Sequence, residues 1–363
     1  MAIRLRPSLS WLLTFIPVAL VLEQRHAGAP LVFGAAAVAI VPLARLIVEG
    51  TEHLATYTGP AVGGLLNASF GNLPELIITI VALRAGLFDM VRASLVGTLL
   101  ANLLLALGLA FLLGGLRHHE QIYSSTAMQT YGAMMLLAII SLAVPASFHR
   151  FFGTETATPA AVRLDFGVAI LLLVVYGLYL FLMLQTHREL FAPARKSTQT
   201  HSGPTWSVPR ALGTLVLASA GAAWMSEILV GAAEATGQAL GLSDVFIGMI
   251  FLAVVGGAAE SLSAIAAGMG NRMDLALGIA FGSCIQISLL VAPVLVLISR
   301  LIAPGPFTLD FTRGEIGALL IAVFIGTVVA GGGRSNWFKG VQLVAVYLIF
   351  AALAYLIPST IAP

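Results

Sequence analysis

Two glutamates, Glu75 and Glu260, interrupt long apolar runs in matching surroundings 185 residues apart. The first closes the stretch Gly71-Asn72-Leu73-Pro74-Glu75, the second Gly256-Gly257-Ala258-Ala259-Glu260. The apolar runs themselves confine the fold. Of 363 residues, 59% are hydrophobic and 9% charged, whereas soluble domains carry roughly 25% charged residues. The runs are long enough for helices that need about 20 residues to cross a bilayer. They lack the short alternating segments of a barrel. The chain reads as an all-α polytopic membrane protein with the lipid bilayer as its solvent. A carboxylate at membrane depth costs roughly 2.5–3.5 kcal/mol on insertion scales and is a functional-site hypothesis by default.

Eleven transmembrane helices are expected, near residues 8–22, 29–56, 60–86, 90–115, 124–146, 162–186, 208–238, 242–270, 273–301, 312–331 and 338–357. Only the stretch from His187 to Arg210 is hydrophilic over any length, with prolines, histidines and basic residues. The expected organisation is an extra N-terminal helix (1–28), a first five-helix repeat (29–186), a cytoplasmic linker (187–209) and a second five-helix repeat (210–363). A modest excess of Lys and Arg in the loops on the N-terminal side predicts a cytoplasmic N-terminus. No cleavable leader is read in residues 1–22, which lack a convincing small-residue cleavage site. The single cysteine, Cys284, excludes an internal disulfide framework. No basic cluster of the kind nucleic acid requires is present.

The repeat is carried by polar and glycine matches. A shift of 185 aligns Gly71 with Gly256, Glu75 with Glu260, Asp89 with Asp274, Gly97 with Gly282 and Thr98 with Ser283. Upstream, a shift of 182 aligns Glu52 with Glu234. Five spans per repeat would turn the second copy upside down. Inverted repeats of this kind are a transporter architecture with the site at the repeat interface, near the midplane.

On a helix, residues three and four apart share a face. Asn72 and Thr79 thus flank Glu75, while Gly256 and Ser263 flank Glu260. Gly71, Pro74, Gly256 and Gly257 would bend or break the helices there, freeing backbone carbonyls. Carboxylates, carbonyls and amide oxygens make a hard site suited to Ca²⁺, with no thiolate or histidine cluster for a softer metal. Burial and a like-charged neighbour both favour a neutral carboxyl group, and close carboxylates titrate as a pair. Competition between a divalent cation and protons for one pair of glutamates is the logic of an antiporter. Na⁺ as counter-ion is left open by the residues alone. In the following spans, Thr98 and Asn102 of one half lie at heights that correspond to Ser283 and Gln286 of the other. They read either as ligand or gate residues or as ordinary interhelical hydrogen-bond partners. Glu52 and Glu234 are candidate vestibule residues, against the plainer reading of glutamates near helix ends. His118-His119-Glu120 reads as a solvated loop, and Asp89 and Asp274 as helix N-caps.

The run Gly63-Gly64-Leu65-Leu66-Asn67-Ala68-Ser69-Phe70-Gly71-Asn72-Leu73-Pro74-Glu75, the later Gly97-Thr98-Leu99-Leu100-Ala101-Asn102, and Met273 to Gly278 followed by Gly282-Ser283-Cys284-Ile285-Gln286-Ile287 resemble the Ca²⁺/H⁺ exchanger (CAX) family of the cation/Ca²⁺ exchanger superfamily. The resemblance implies a ten-helix core plus the extra N-terminal helix. It also implies export of Ca²⁺ against H⁺ by alternating access, with Glu75 and Glu260 binding either ion and Asn102, Ser283 and Gln286 nearby. Ca²⁺ is then cargo, no cofactor is expected, and the compact chain suggests a bacterial inner membrane. Gly257 and Ser261 stand where that family usually has Asn and His, so selectivity or pH dependence should differ here. The alternatives are a Na⁺-coupled or broad-specificity exchanger of the same superfamily and, further off, a membrane-embedded enzyme, for which no nucleophile–base or metal cluster is read.

Overall fold

Backbone polar groups in hydrocarbon must be satisfied within the chain, and a helix does so segment by segment. The computed structural model describes residues 9–152, 159–187 and 206–357, and they are almost entirely helical. After a 3₁₀ turn at Leu9–Thr14, the order begins α1 (Phe15–Gln24), α2 (Ala29–Phe70), α3 (Leu73–Arg84), α4 (Phe88–Leu100) and α5 (Leu107–His118). It continues with α6 (Ser125–Phe152), α7 (Pro159–Phe181) and α8 (Val208–Leu240). Then follow α9 (Asp244–Phe246), α10 (Ala253–Gly256), α11 (Ala258–Met269), α12 (Met273–Gln286), α13 (Ala292–Ile302), α14 (Arg313–Ala330) and α15 (Trp337–Leu356). π-helical turns join α4 to α5 (Ala101–Ala106), α9 to α10 (Ile247–Leu252) and α12 to α13 (Ile287–Val291). Two strands too short to be legible in the sequence, β1 (Gln121–Ile122) and β2 (Arg334–Ser335), pair antiparallel and tie two loops together.

Among the described residues, eight helical stretches are long and apolar enough to span, and a ninth is the bent pair Asp244–Gly256 and Ala258–Met269. The difference from eleven has two sources. Residues 9–24 form a helix too short for that test. The stretch expected as 60–86 is divided between the end of α2 and the short α3. Nor is α2 one straight rod. A methyl group on Gly63 would stand 2.6 Å from the carbonyl oxygen of Ala55, whereas eight residues of straight helix rise about 12 Å. The chain therefore folds back near residues 58–62, close to the boundary expected from the sequence.

Local signals account for several ends. Thr312 and Glu315 form a capping box that starts α14, each side chain accepting the other's backbone N–H, at 3.2 and 2.7 Å. Gly241, at φ +67°, ends α8 in the left-handed conformation that favours glycine. Asp89 and Asp274 are not N-caps. Each sits one residue inside its helix; Asp89 pairs with Arg92, and Asp274 accepts the Ser124 N–H at 2.8 Å.

The stretch Phe88–His118 is the most enclosed of the spans, whereas Ala160–Thr186 and Trp337–Leu356 leave most of their apolar surface outward. Outward side chains such as Leu217, Leu301 and Leu356 are those a lipid phase would cover. α2 packs along α8, with Gly50 against Ala211 and Leu215 and Gly221 against Leu43, so the two run antiparallel. This pairing fixes the poles of the molecule. Glu52 sits beside the start of α8, and Glu234 lies nineteen residues beyond Leu215, about 28 Å along the helix.

Candidate functional site

Both glutamates occupy first turns of short helices that begin at chain breaks. α2 stops at Phe70, Gly71 and Asn72 form a turn, and α3 starts with Pro74 in its first turn, where proline forfeits no intrahelical bond. Gly257 interrupts the second copy, and the axis bends by 60° before α11. Glu75 and Glu260 therefore lie against the partial positive charge of their own helix N-termini. The break before α3 carries the Glu75 carboxylate against Gly256 and Gly257 of the later segment. A methyl group on Gly256 would stand 3.0 Å from Glu75 Cγ, and one on Gly257 would stand 3.5 Å from Glu75 Oε1. The two carboxyl groups are within direct electrostatic range of each other.

Their surroundings differ. Ser283 donates its hydroxyl hydrogen to Glu260 Oε2, and Glu260 lines a cavity of about 300 Å³. Glu75 is 4% exposed, and neither of its carboxylate oxygens has a hydrogen-bond partner. Asn102 reaches the same place: its Oδ1 would stand 3.8 Å from a methyl on Gly257, and its Nδ2 is buried and unpartnered. Asn72 Nδ2 donates to Gln286 Oε1 across the halves, while Asn72 Oδ1 is buried without a partner. A buried polar atom left unpaired costs about 1–3 kcal/mol, and more when charged. Four such atoms on Glu75, Asn72 and Asn102 make one oxygen-rich, unsatisfied locus.

Two expected neighbours are not drawn into it. The Thr79 hydroxyl donates to the carbonyls of Glu75 and Leu76, and the Thr98 hydroxyl to that of Ser94, all within their own helices. Thr98 thus does not do for Glu75 what Ser283 does for Glu260. Gly71, Ser283, Gln286 and Glu52 all line the cavity that reaches Glu260. Glu234 lies elsewhere, with Arg84 and Glu227 around a separate cavity of about 400 Å³ at the other pole. Arg84 and Glu227 approach to 4.0 Å there, both well exposed.

The sequence reading missed three residues. Tyr131, Tyr176 and Tyr179 line the Glu260 cavity, but an aromatic residue in an apolar span looks like ordinary core. It also missed the π turn Ala101–Ala106, which contains Asn102, and the π turn Ile287–Val291, directly after Gln286, which the 185-residue shift brings into register; such turns often mark functional sites. Among the described residues no three His, Cys, Asp or Glu side chains gather as a metal cluster. His118 is engaged with the Met269 carbonyl, and Glu120 with Arg334.

Comparison with known proteins identifies the family. The sequence model of the sodium/calcium exchanger protein family matches residues 28–185 and 210–356. The Ca(2+)/H(+) antiporter of Aphanothece halophytica is 38% identical over 362 residues, covering 96% of each chain. The Ca(2+)/H(+) antiporter ChaA of Bacillus subtilis is 37% identical over 338 residues, covering 93% of this chain and 95% of that one. The structure of native YfkE superposes with a TM-score of 0.83 at 33% identity, over 96% of this chain and all of the other. By family match and by identity over nearly its whole length, this chain belongs to the sodium/calcium exchanger protein family, on its Ca²⁺/H⁺ antiporter side.

Proposed function

We propose that this protein is a secondary antiporter that exports Ca²⁺ in exchange for H⁺, with Glu75 and Glu260 as the groups that hold either ion. The observation that carries the reading is the meeting of two carboxylates from broken helices, Glu75 buried without a hydrogen-bond partner and Glu260 half-buried at a cavity. Among the described residues no lysine, arginine or histidine lines the cavity at Glu260, so none of them offsets the charge there. An empty dianion at membrane depth is costly. One Ca²⁺ neutralises it, and so do protons on the same carboxyls. A carrier that rearranges only when neutralised couples the two fluxes and suppresses the leak. Carbonyls freed at Gly71, Gly256 and Gly257, with the amide oxygens of Asn72 and Asn102, could supply the further oxygens Ca²⁺ takes at about 2.3–2.6 Å.

The finer architecture belongs to the same proposal: eleven spans, an extra N-terminal helix and two inverted five-helix repeats on either side of residues 187–209. In support, Cys284 Sγ approaches the carbonyl oxygen of Leu99, its own partner 185 residues away, at 3.8 Å. A residue that touches its repeat mate lies on the axis relating the copies. With a cytoplasmic N-terminus in a bacterial inner membrane, the Glu52 pole faces inward. The described state then has Glu260 reachable from the cytoplasm and Glu75 sealed behind it.

Everted membrane vesicles test the reading. An imposed pH gradient should drive Ca²⁺ uptake in Na⁺-free medium, and Glu75→Gln or Glu260→Gln should abolish it. Robust uptake in both variants would sink the shared site. A strict requirement for Na⁺ would sink the proton coupling and favour the Na⁺-coupled alternative.

A further inference from the structure

The Glu260 cavity is mostly apolar along its walls, with Val48, Leu180, Met183, Leu275 and Ile279 among them. Glu52, which is exposed, and Glu260 with Ser283 and Gln286, which are less so, line this same cavity. A hydrated Ca²⁺ crossing this space must lose water before it reaches the carboxylates, and an apolar wall replaces none of it. The other polar groups of the lining include three phenol hydroxyls. Tyr131 comes from α6, Tyr176 and Tyr179 from α7, and all three line the cavity though each is at least nine-tenths buried. The chain has seven tyrosines in all, so three in one cavity is a concentration. The Tyr179 hydroxyl lies within electrostatic range of both others. A methyl on Gly278, another lining residue, would stand 3.4 Å from the Tyr131 hydroxyl. The Tyr131 ring is held by stacking on Phe281, at 5.9 Å between centroids. Phe281 lies on α12, two residues before Ser283. The phenol that faces the passage is thereby tied to the helix that serves Glu260.

Resting on the antiport reading above, we infer that the hydroxyls of Tyr131, Tyr176 and Tyr179 are positioning residues that hand a partly dehydrated Ca²⁺ from exposed Glu52 to Glu260. A phenol oxygen accepts a cation and its O–H holds a shed water, but it carries no charge. A carboxylate in their place would instead trap the ion. Neutral oxygens beside two acidic groups give a path that is wet without being sticky, and they serve Glu260 alone, since Glu75 does not line this cavity.

The test is Tyr→Phe at each position and at all three together, which removes the oxygen and keeps the ring. In everted vesicles the triple variant should raise the half-saturating Ca²⁺ concentration at least threefold. The maximal rate should stay within twofold, and the external pH profile should keep its midpoint. Single variants should give graded smaller effects. An unchanged Ca²⁺ dependence overturns the inference, and so does a shifted pH profile with unchanged Ca²⁺ dependence, which would make the phenols a proton path. Purified protein with an unchanged melting midpoint separates these outcomes from misfolding; if the triple variant is unstable, the single variants decide by the same criteria. Glu260→Gln run in parallel separates the two levels. If it still transports, the antiport site itself is wrong; if it is dead while the phenols are silent, only this inference falls.

Discussion

Glu75 of the first half touches Gly256 of the second: a methyl group on Gly256 would stand 3.0 Å from Glu75 Cγ and 3.5 Å from its Cα. The absence of a side chain at Gly256 is what lets the carboxylate cross. Gly256→Ala should push Glu75 off its rotamer, a cost of roughly 0.5–1.5 kcal/mol. Where that cost falls on the transport step, it slows transport by up to about tenfold. Gly213→Ala in α8, where a methyl meets nothing within 4 Å, should leave transport unchanged. Initial rates of Ca²⁺ uptake per unit of inserted protein would check both.

Ser283 and Thr98 occupy matched positions but do different things. Ser283 donates to the Glu260 carboxylate, while Thr98 donates to the Ser94 carbonyl at 2.9 Å. Hydrogen bonds to charged groups contribute about 1.5–3 kcal/mol, and this one favours the carboxylate that Ca²⁺ needs. Ser283→Ala should therefore let protons compete better and raise the half-saturating Ca²⁺ concentration roughly tenfold, more at pH 6 than at pH 8. Thr98→Ala should change it by less than about twofold on the same scale. Equal effects from the two variants would show that the halves are chemically equivalent.

That inequality marks where the sequence stops being readable. The helical class and the pairing of the two glutamates follow from charge sparsity and from matches among Glu, Asp and Gly, while the linker read at 187–209 lies largely outside the described residues. The breaks at Gly71 and Gly257 were legible because glycine and proline weaken helices at known positions. What Thr79 and Thr98 donate to was not, because a helical threonine can turn its hydroxyl either to a neighbour or to the carbonyl one turn back. Three tyrosines in one cavity were invisible for a related reason: they come from helices far from Glu260 in sequence, and nothing in an apolar span says which face meets water. The N-cap reading of Asp89 and Asp274 failed by two positions, since Leu87 and Arg272 stand at the caps. The acidic residue lies inside the helix, where it takes an arginine or a neighbouring loop amide instead.

Gly97 and Gly282, which the 185-residue shift aligns, pack differently. A methyl on Gly97 would stand 2.0 Å from the Met249 carbonyl oxygen, whereas one on Gly282 meets nothing within 4 Å. Close approach of two helix backbones through a glycine is how spans pack without a hydrophobic driving force. Gly97→Ala should cost about 1–3 kcal/mol by overpacking, seen as a lower melting midpoint in detergent or as lost expression. Gly282→Ala should leave the midpoint in place. If both variants melt like the parent, α4 and the π turn at Ile247–Leu252 are not held as closely as described.

Glu52 and Glu234 lie at opposite poles, each lining a different cavity. Replacing each with cysteine converts that geometry into an orientation measurement. The native thiol, Cys284, is buried, and Cys284→Ala gives a clean background provided it still transports. With the proposed topology, an impermeant thiol reagent added to intact cells should modify Glu234→Cys and spare Glu52→Cys. In everted vesicles the pattern should reverse. Both positions are exposed enough to react, so a silent position reports sidedness rather than burial. The reverse pattern would invert the assigned orientation and turn the Glu260 cavity outward. Modification of both from one face would contradict the antiparallel packing of α2 on α8, on which the separation of the two cavities rests.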